Sequence, residues 1–321
     1  MVLQPLQEAG MYRMIQLESL IPETLPGVSL FINHGGNHVL YKNQTHSFTQ
    51  TDKERLIDNN VKFLFVKAVD MSTYNQYVES NLAALMNDEN LEPLAKQNML
   101  YQASVNYVQE IFDSPAVSIK QNVDRCRNLI QNILNDVMSS DGVMPALSSL
   151  VDHNAYTYVH SVQVATYSIS LHVKAFDLSR DELMDVGIGS LFHDYGKLYI
   201  PRVLLEKPGK LSAAEFTEVK KHPVYGYSTL KDLDIFTPVA LGIVKHHHEK
   251  ENGNGYPDGL SSYDIARSSK ITAITDVFSA LTTNRSYRQA LSKESAMEIM
   301  YGEMDGSFDM QYLNTFRDSL N

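Results

Sequence analysis

The sequence predicts a mainly α-helical protein with a small α+β domain at its N-terminus. Short apolar runs punctuated by turn residues are confined to the first ~70 residues. From about Thr73 onward apolar positions recur at the helical period rather than alternating. At 321 residues and 43% hydrophobic content, the chain is long enough to bury a sizeable core in one large domain or two smaller ones.

In the N-terminal part, Val28-Ser29-Leu30-Phe31-Ile32 and His38-Val39-Leu40-Tyr41 flank Gly35-Gly36 in the manner of a β-hairpin. Thr51-Asp52-Lys53-Glu54 matches a capping box opening a short helix, and Val61 to Val66 supplies another strand. Helices are expected over Leu91 to Phe112 and Ile119 to Val137, with breaks at Asp113-Ser114-Pro115 and Ser139-Ser140-Asp141-Gly142. The second break marks the start of a C-terminal domain. The expected partition is therefore an α+β domain over 1–80, a helical linker over 81–142 and a C-terminal domain over 143–321. The N-terminal domain shows no motif of its own and no phosphoacceptor pattern, so a regulatory (sensory), dimerising or partner-binding role is its default, with a purely structural support as the alternative.

The formal charge is −11, spread evenly: 10 Lys/Arg against 15 Asp/Glu over residues 1–140 and 17 against 23 over 141–321, or −5 and −6. That disfavours broad binding to nucleic acid or anionic lipid, which want a basic surface. The single cysteine, Cys126, can form neither an internal disulfide nor a thiolate metal cluster. No membrane span or signal peptide is visible, which points to the cytoplasm.

Eight of the eleven histidines fall between residues 153 and 248. The adjacent pair His193-Asp194 can seed a dinuclear site, because an imidazole supplies one neutral nitrogen while a carboxylate can bridge two cations. Lys197 follows one helical turn later, as a neighbour of that pair or as a surface lysine on a final turn. Asp276 interrupts the largely apolar run Ile271 to Leu281, where a carboxylate is costly unless it is metal-bound or paired, Arg285 and Arg288 being the available partners. His160 shares a helix face with Val164 and Tyr167, and alone reads as a core histidine. His172, rotated roughly 120° from it, is a poor co-ligand. His222 precedes Pro223, with Gly226 permitting close approach. His246-His247-His248-Glu249 runs into Asn252-Gly253-Asn254-Gly255-Tyr256-Pro257, a metal site beside a glycine-punctuated turn.

Taken in order, His160, His193-Asp194-Tyr195-Gly196-Lys197, His222-Pro223-Val224-Tyr225-Gly226, His247-His248-Glu249, Asn252 to Pro257 and Asp276 resemble the HD-GYP phosphodiesterase family over about residues 145–321. The resemblance implies an all-α HD/phosphodiesterase-type fold for the C-terminal domain and hydrolysis of cyclic di-GMP. It places one metal on His160, His193, Asp194 and Asp276 and a second on Asp194, His222, His247 and His248, with Asp194 bridging. His246 is left as an outer or solvated residue. Lys197 matches the lysine at the scissile phosphate, Arg285 and Arg288 the cationic positions of the substrate segment, and Tyr256 is placed to stack on guanine or shape the pocket rim.

Two divalent cations are expected, with iron or manganese the metals the resemblance favours, and a hydroxide shared between them as nucleophile. Where family members hold a third metal, a glutamate stands one turn before the first histidine; here that position is Tyr156. This favours the linear dinucleotide pGpG over onward hydrolysis to GMP. A cyclic-dinucleotide sensor with little turnover, or a hydrolase of another cyclic dinucleotide, are the competing readings. Dimerisation through the N-terminal domain or linker helices, and a protein partner at the Gly-Tyr-Pro loop, stay open.

Overall fold

The computed structural model describes residues 11–139, 156–284 and 289–320. Arg285, Arg288, most of the break at 139–142 and the side chain of Tyr156 lie outside the described residues. The chain divides into two compact units, Met1–Ala103 and Ser104–Asn321.

The first unit carries strands β1 (Tyr12–Gln16), β2 (Leu30–His34), β3 (Asn37–Lys42) and β4 (Phe63–Lys67), with helices α1 (Gln50–Asp58) and α2 (Met71–Asn87). The sheet order is β1-β4-β2-β3, with every paired neighbour antiparallel. The expected hairpin is β2-β3, turning on Gly35 and Gly36, both at positive φ as a tight primed turn requires. Strand β1 was not anticipated, because its signal is its pairing with β4, from Tyr12 opposite Lys67 to Gln16 opposite Phe63, rather than local alternation. The capping box opens two residues earlier than the sequence suggested. Thr49 accepts from the Asp52 amide, and the Asp52 carboxylate accepts from Thr49, so Thr51 lies inside the helix.

The division between the units falls within α3 (Pro93–Phe112). The second unit continues with α4 (Val117–Gln121) and α5 (Val123–Ser139), a break in what the sequence presents as one helix. Asn122 stands at the break as the C-cap of α4, outside helical geometry at φ −114° and ψ 17°. Then follow α6 (Tyr156–Ala175), α7 (Arg180–Leu191), α8 (Arg202–Leu205), α9 (Ala213–Val219), α10 (His222–Lys231), α11 (Pro238–His246), α12 (Arg267–Thr282), α13 (Lys293–Gly302) and α14 (Met310–Ser319). The architecture is mainly α with a small sheet, as expected.

Helix α6 is the axis of this unit, buried without interruption from Val159 to His172 and packed on α7 and α12. Buried hydroxyls pair across these helices: Ser168 meets Thr275 of α12 at 2.7 Å, and Ser190 of α7 meets Thr272 at 3.2 Å. Below, Tyr167, Leu171, Ile274, Phe278, Met300 and Phe316 close an apolar core that fixes α6 and α12 against α13 and α14. Among the described residues no helix is long and apolar enough to cross a membrane.

Candidate metal centre

Helix α7 opens with a Ser179–Glu182 capping box and ends at Leu191, so His193-Asp194 leave its C-terminus just before a 3-10 turn, Tyr195–Tyr199, that carries Lys197. Around them α6 supplies His160, the first turn of α10 His222, the end of α11 His247 and His248, and α12 Asp276. His160, His193, Asp194, His222 and His247 are each 1% exposed or less, and Asp276 is 7% exposed. Five helices therefore deliver seven ligand-type side chains to one buried point.

Asp194 is at the middle. Its Oδ2 lies 3.3 Å from His193 Nε2 and 3.8 Å from His160 Nε2, while its Oδ1 lies 3.3 Å from His222 Nε2 and 3.9 Å from His247 Nε2. Asp276 Oδ1 is 3.0 Å from His160 Nε2 and 3.8 Å from His193 Nε2, and its Oδ2 is 3.7 Å from His248 Nδ1. The Asp276 carboxylate therefore reaches three histidines.

Outer hydrogen bonds decide which nitrogen of each ring faces inward. His193, His222 and His247 donate Nδ1–H to the carbonyls of Ser190, Val219 and Val244, at 2.7, 2.8 and 3.0 Å. His160 Nδ1 lies 2.9 Å from Ser279 Oγ; that hydroxyl donates onward to Gln163 Oε1, which also accepts from Thr283. A serine whose proton is committed to Gln163 can only accept, so His160 too must carry its proton on Nδ1. All four Nε2 lone pairs then converge, and those of His222 and His247 stand 3.3 Å apart. Two imidazole lone pairs repel at that separation unless a cation lies between them. Asp194 Oδ1 and His193 Nε2 are buried and lack a hydrogen-bond partner of good geometry.

The charge states agree with ligation. Burial by itself would raise the Asp194 pKa, yet the Lys197 ammonium, 2.5 Å away, and the surrounding imidazoles hold it well below the carboxylate range. Asp276 is lowered as well, burial again opposing and His160 leading the stabilisation. Burial lowers His160 and His247, and takes His248 down to about 3. His193 is the exception: burial would lower it, but the two aspartates raise it. Neutral imidazoles and ionised carboxylates are the forms that bind divalent cations. Three ligand-type groupings lie within 4.8 Å: Asp194 with His222, His247 and His248; His160 with His193 and Asp194; and His193 with His247 and Asp276. The cluster fits divalent metal binding.

His246 takes no part. Its Nε2 lies 3.0 Å from Asp258, which also pairs with Lys245. His172 is buried elsewhere against Phe176, donating Nδ1–H to the Ser168 carbonyl. The Tyr256 ring lies 4.7 Å from His248 and 6.5 Å from His222. Gly255 makes that possible, since a Cβ there would meet Glu249 Cα at 2.5 Å.

Sequence reasoning missed the residues that hold the ligands. Gln163 and Ser279 stand one helical turn after His160 and Asp276, a spacing that was available to read. Glu249 is 3% exposed and accepts the amides of Asp258 and Gly259 on Oε1 and of Leu260 on Oε2, at 2.7, 3.1 and 2.9 Å. It ties the loop after the histidines back onto the end of α11.

A helical fold around a buried histidine–aspartate cluster defines an HD-type protein. Residues 147–312 match the family described as HD domain, just over half the chain, and the chain belongs to that family, among its HD-GYP members. It is 33% identical over 189 residues to the cyclic di-GMP phosphodiesterase PA4108 of Pseudomonas aeruginosa, covering 59% of this chain and 45% of that protein. It is 38% identical over 133 residues to the cyclic di-GMP phosphodiesterase response regulator RpfG of Xanthomonas campestris, covering 41% and 35%. To 3'3'-cGAMP-specific phosphodiesterase 3 of Vibrio cholerae it is 29% identical over 225 residues, covering 68% and 48%. The chain thus spans less than half the length of these relatives. Among solved structures, Bd1817, an HDG"Y"P protein from Bdellovibrio bacteriovorus, shares the fold at a TM-score of 0.67 and 22% identity, over 96% of this chain and 98% of that one.

Proposed function

We propose that the chain is a metal-dependent phosphodiesterase that opens cyclic di-GMP to linear pGpG. The observation that carries this reading is Asp194, whose two oxygens face two separate groups of imidazole lone pairs. His160, His193, Asp194 and Asp276 would hold one divalent cation, and Asp194, His222, His247 and His248 the other. Once bound, such cations supply Lewis acidity towards a phosphodiester and a water acidified to near neutrality.

The chain's own groups do the rest. Lys197, 31% exposed at its side chain, is half free to leave Asp194 and meet negative charge on the phosphate. Arg285 and Arg288 offer planar forks for phosphate. Tyr256 walls the site beside His248 and excludes water from that side. Tyr156, standing where a third-metal glutamate would, limits the site to two cations and the product to pGpG. Residues 1–80 would regulate or dimerise the enzyme.

The test is hydrolysis of cyclic di-GMP by protein loaded with iron or manganese, with products resolved by chromatography and metal counted by elemental analysis. Release of pGpG at two metals per chain is expected. No cleavage with either metal would sink the enzyme reading, and three metals per chain would overturn the two-cation assignment.

A further inference from the structure

Tyr256 has a second set of neighbours besides the ligand histidines. The ring of Phe216 lies 6.4 Å from it, edge to face, and the Lys220 ammonium stands 4.9 Å from the Phe216 centroid and 5.3 Å from the Tyr256 centroid. Phe216 and Lys220 are four residues apart on α9 and its C-cap, so they share a face. No residue of α9 is buried, and Phe216 is 45% exposed, so this ring does not serve the core.

The cation lies over both rings but is matched by neither acid of its own helix. Glu215 pairs with Lys207 and Glu218 with Lys221, at 2.7 and 2.5 Å, so both acids of α9 are committed elsewhere. Among the described residues Lys220 takes part in no ion pair. An acidic chain therefore leaves an ammonium without a carboxylate, resting on an exposed aromatic ring, beside its histidine–aspartate cluster.

We propose that Phe216, Lys220 and Tyr256 form a nucleobase subsite that selects guanine over adenine. The inference rests on the cyclic-dinucleotide reading above and names its specificity. With the phosphate at the histidine–aspartate cluster, an attached base extends past Tyr256 and lies on Phe216, an aromatic surface indifferent to base identity. Discrimination comes from Lys220. Guanine presents two acceptors on its Hoogsteen edge, O6 and N7, whereas adenine presents N7 beside an amino donor that opposes an ammonium.

The experiment uses the metal-replete full chain and phosphorothioate analogues of cyclic di-GMP, 3'3'-cGAMP and cyclic di-AMP, which resist cleavage, with affinity read by titration calorimetry. Wild type is expected to bind the guanine analogue about tenfold more tightly than the adenine one, the scale of one good base-edge contact. Lys220→Met removes that preference. Phe216→Ala weakens all three analogues by about tenfold, the scale of one lost stack, and Phe216→Tyr restores them. Phe216 is exposed and Lys220 half-buried, and unchanged thermal melting checks that the variants fold. A wild type without base preference, or a Lys220→Met variant that keeps it, overturns the proposal. If the preference follows Lys220 while authentic cyclic di-GMP is never cleaved, the subsite stands and the enzyme reading falls.

Discussion

Gly196 is held against His222: a Cβ on Gly196 would stand 1.9 Å from the His222 carbonyl oxygen and 2.5 Å from the Gly226 nitrogen. This backbone contact sets the turn carrying Asp194 and Lys197 against the first turn of α10, and so fixes how far Asp194 is from the His222 imidazole. Because the obstacle is backbone rather than a flexible side chain, Gly196→Ala must push the two segments apart. Destabilisation of about 3 kcal/mol in urea unfolding is expected, at the upper end for overpacking, with metal content falling in parallel. A variant with wild-type stability and full metal would show that the contact does not position the site.

Ser279→Ala leaves every ligand in place but removes the acceptor that keeps the His160 proton on Nδ1. Loss of such an outer partner costs about 10- to 100-fold in metal affinity. Competition with a chromophoric chelator measures it, and the loss should come from one metal equivalent rather than both.

Lys197→Met removes the cation that balances Asp194 without removing a ligand nitrogen or oxygen. We expect kcat to fall about 10²-fold or more, as when one charge-stabilising donor is deleted, while two metals per chain are retained. Loss of metal together with activity would make Lys197 a structural counterion only.

Glu249→Gln replaces a carboxylate that accepts three amides with a group that points one N–H pair at donors. About 3 kcal/mol of stability should be lost, the scale of broken hydrogen bonds to a buried charge. Hydrogen exchange should locate the opening at Asp258 to Leu260.

His172 offers a pH test away from the ligands. Burial lowers its pKa from 6.5 to about 4, against a small opposing effect of the Ser168 carbonyl. Since the folded value is depressed, the unfolded chain binds the extra proton, so stability is complete above pH 6.5 and declines as pH falls towards 4. The decline attributable to this ring is about 3 kcal/mol. In metal-free protein, His172→Leu should flatten the stability profile between pH 6.5 and 4 relative to wild type. Parallel profiles would assign the acid sensitivity to other groups.

Much of this protein was legible because its signals are local. The β2-β3 hairpin is written in Gly35-Gly36, the long helices in their periodicity, and the cluster in His193-Asp194, His247-His248 and the loop to Pro257. The failures were non-local or competitive. β1 depends on a partner about fifty residues away, Asn122 leaves helical geometry between α4 and α5, and the capping box closes between Thr49 and Asp52 rather than between Thr51 and Glu54.

By itself, then, the sequence determined the inventory: which imidazoles and carboxylates are present, and in what order. Ligand type and local periodicity are properties of single residues and short windows, so no fold is needed to read them. Only the tertiary structure decided orientation and discrimination. It turns four Nε2 lone pairs inward through carbonyls and a Gln163–Ser279 chain, brings Asp276 to His160 across 116 residues of sequence, gives His246 its partner in Asp258, and sets Phe216 and Lys220 beside Tyr256. Each of these is a hydrogen bond or contact between distant segments, and its energy exists only once the packing of α6, α7 and α12 has brought those segments within reach.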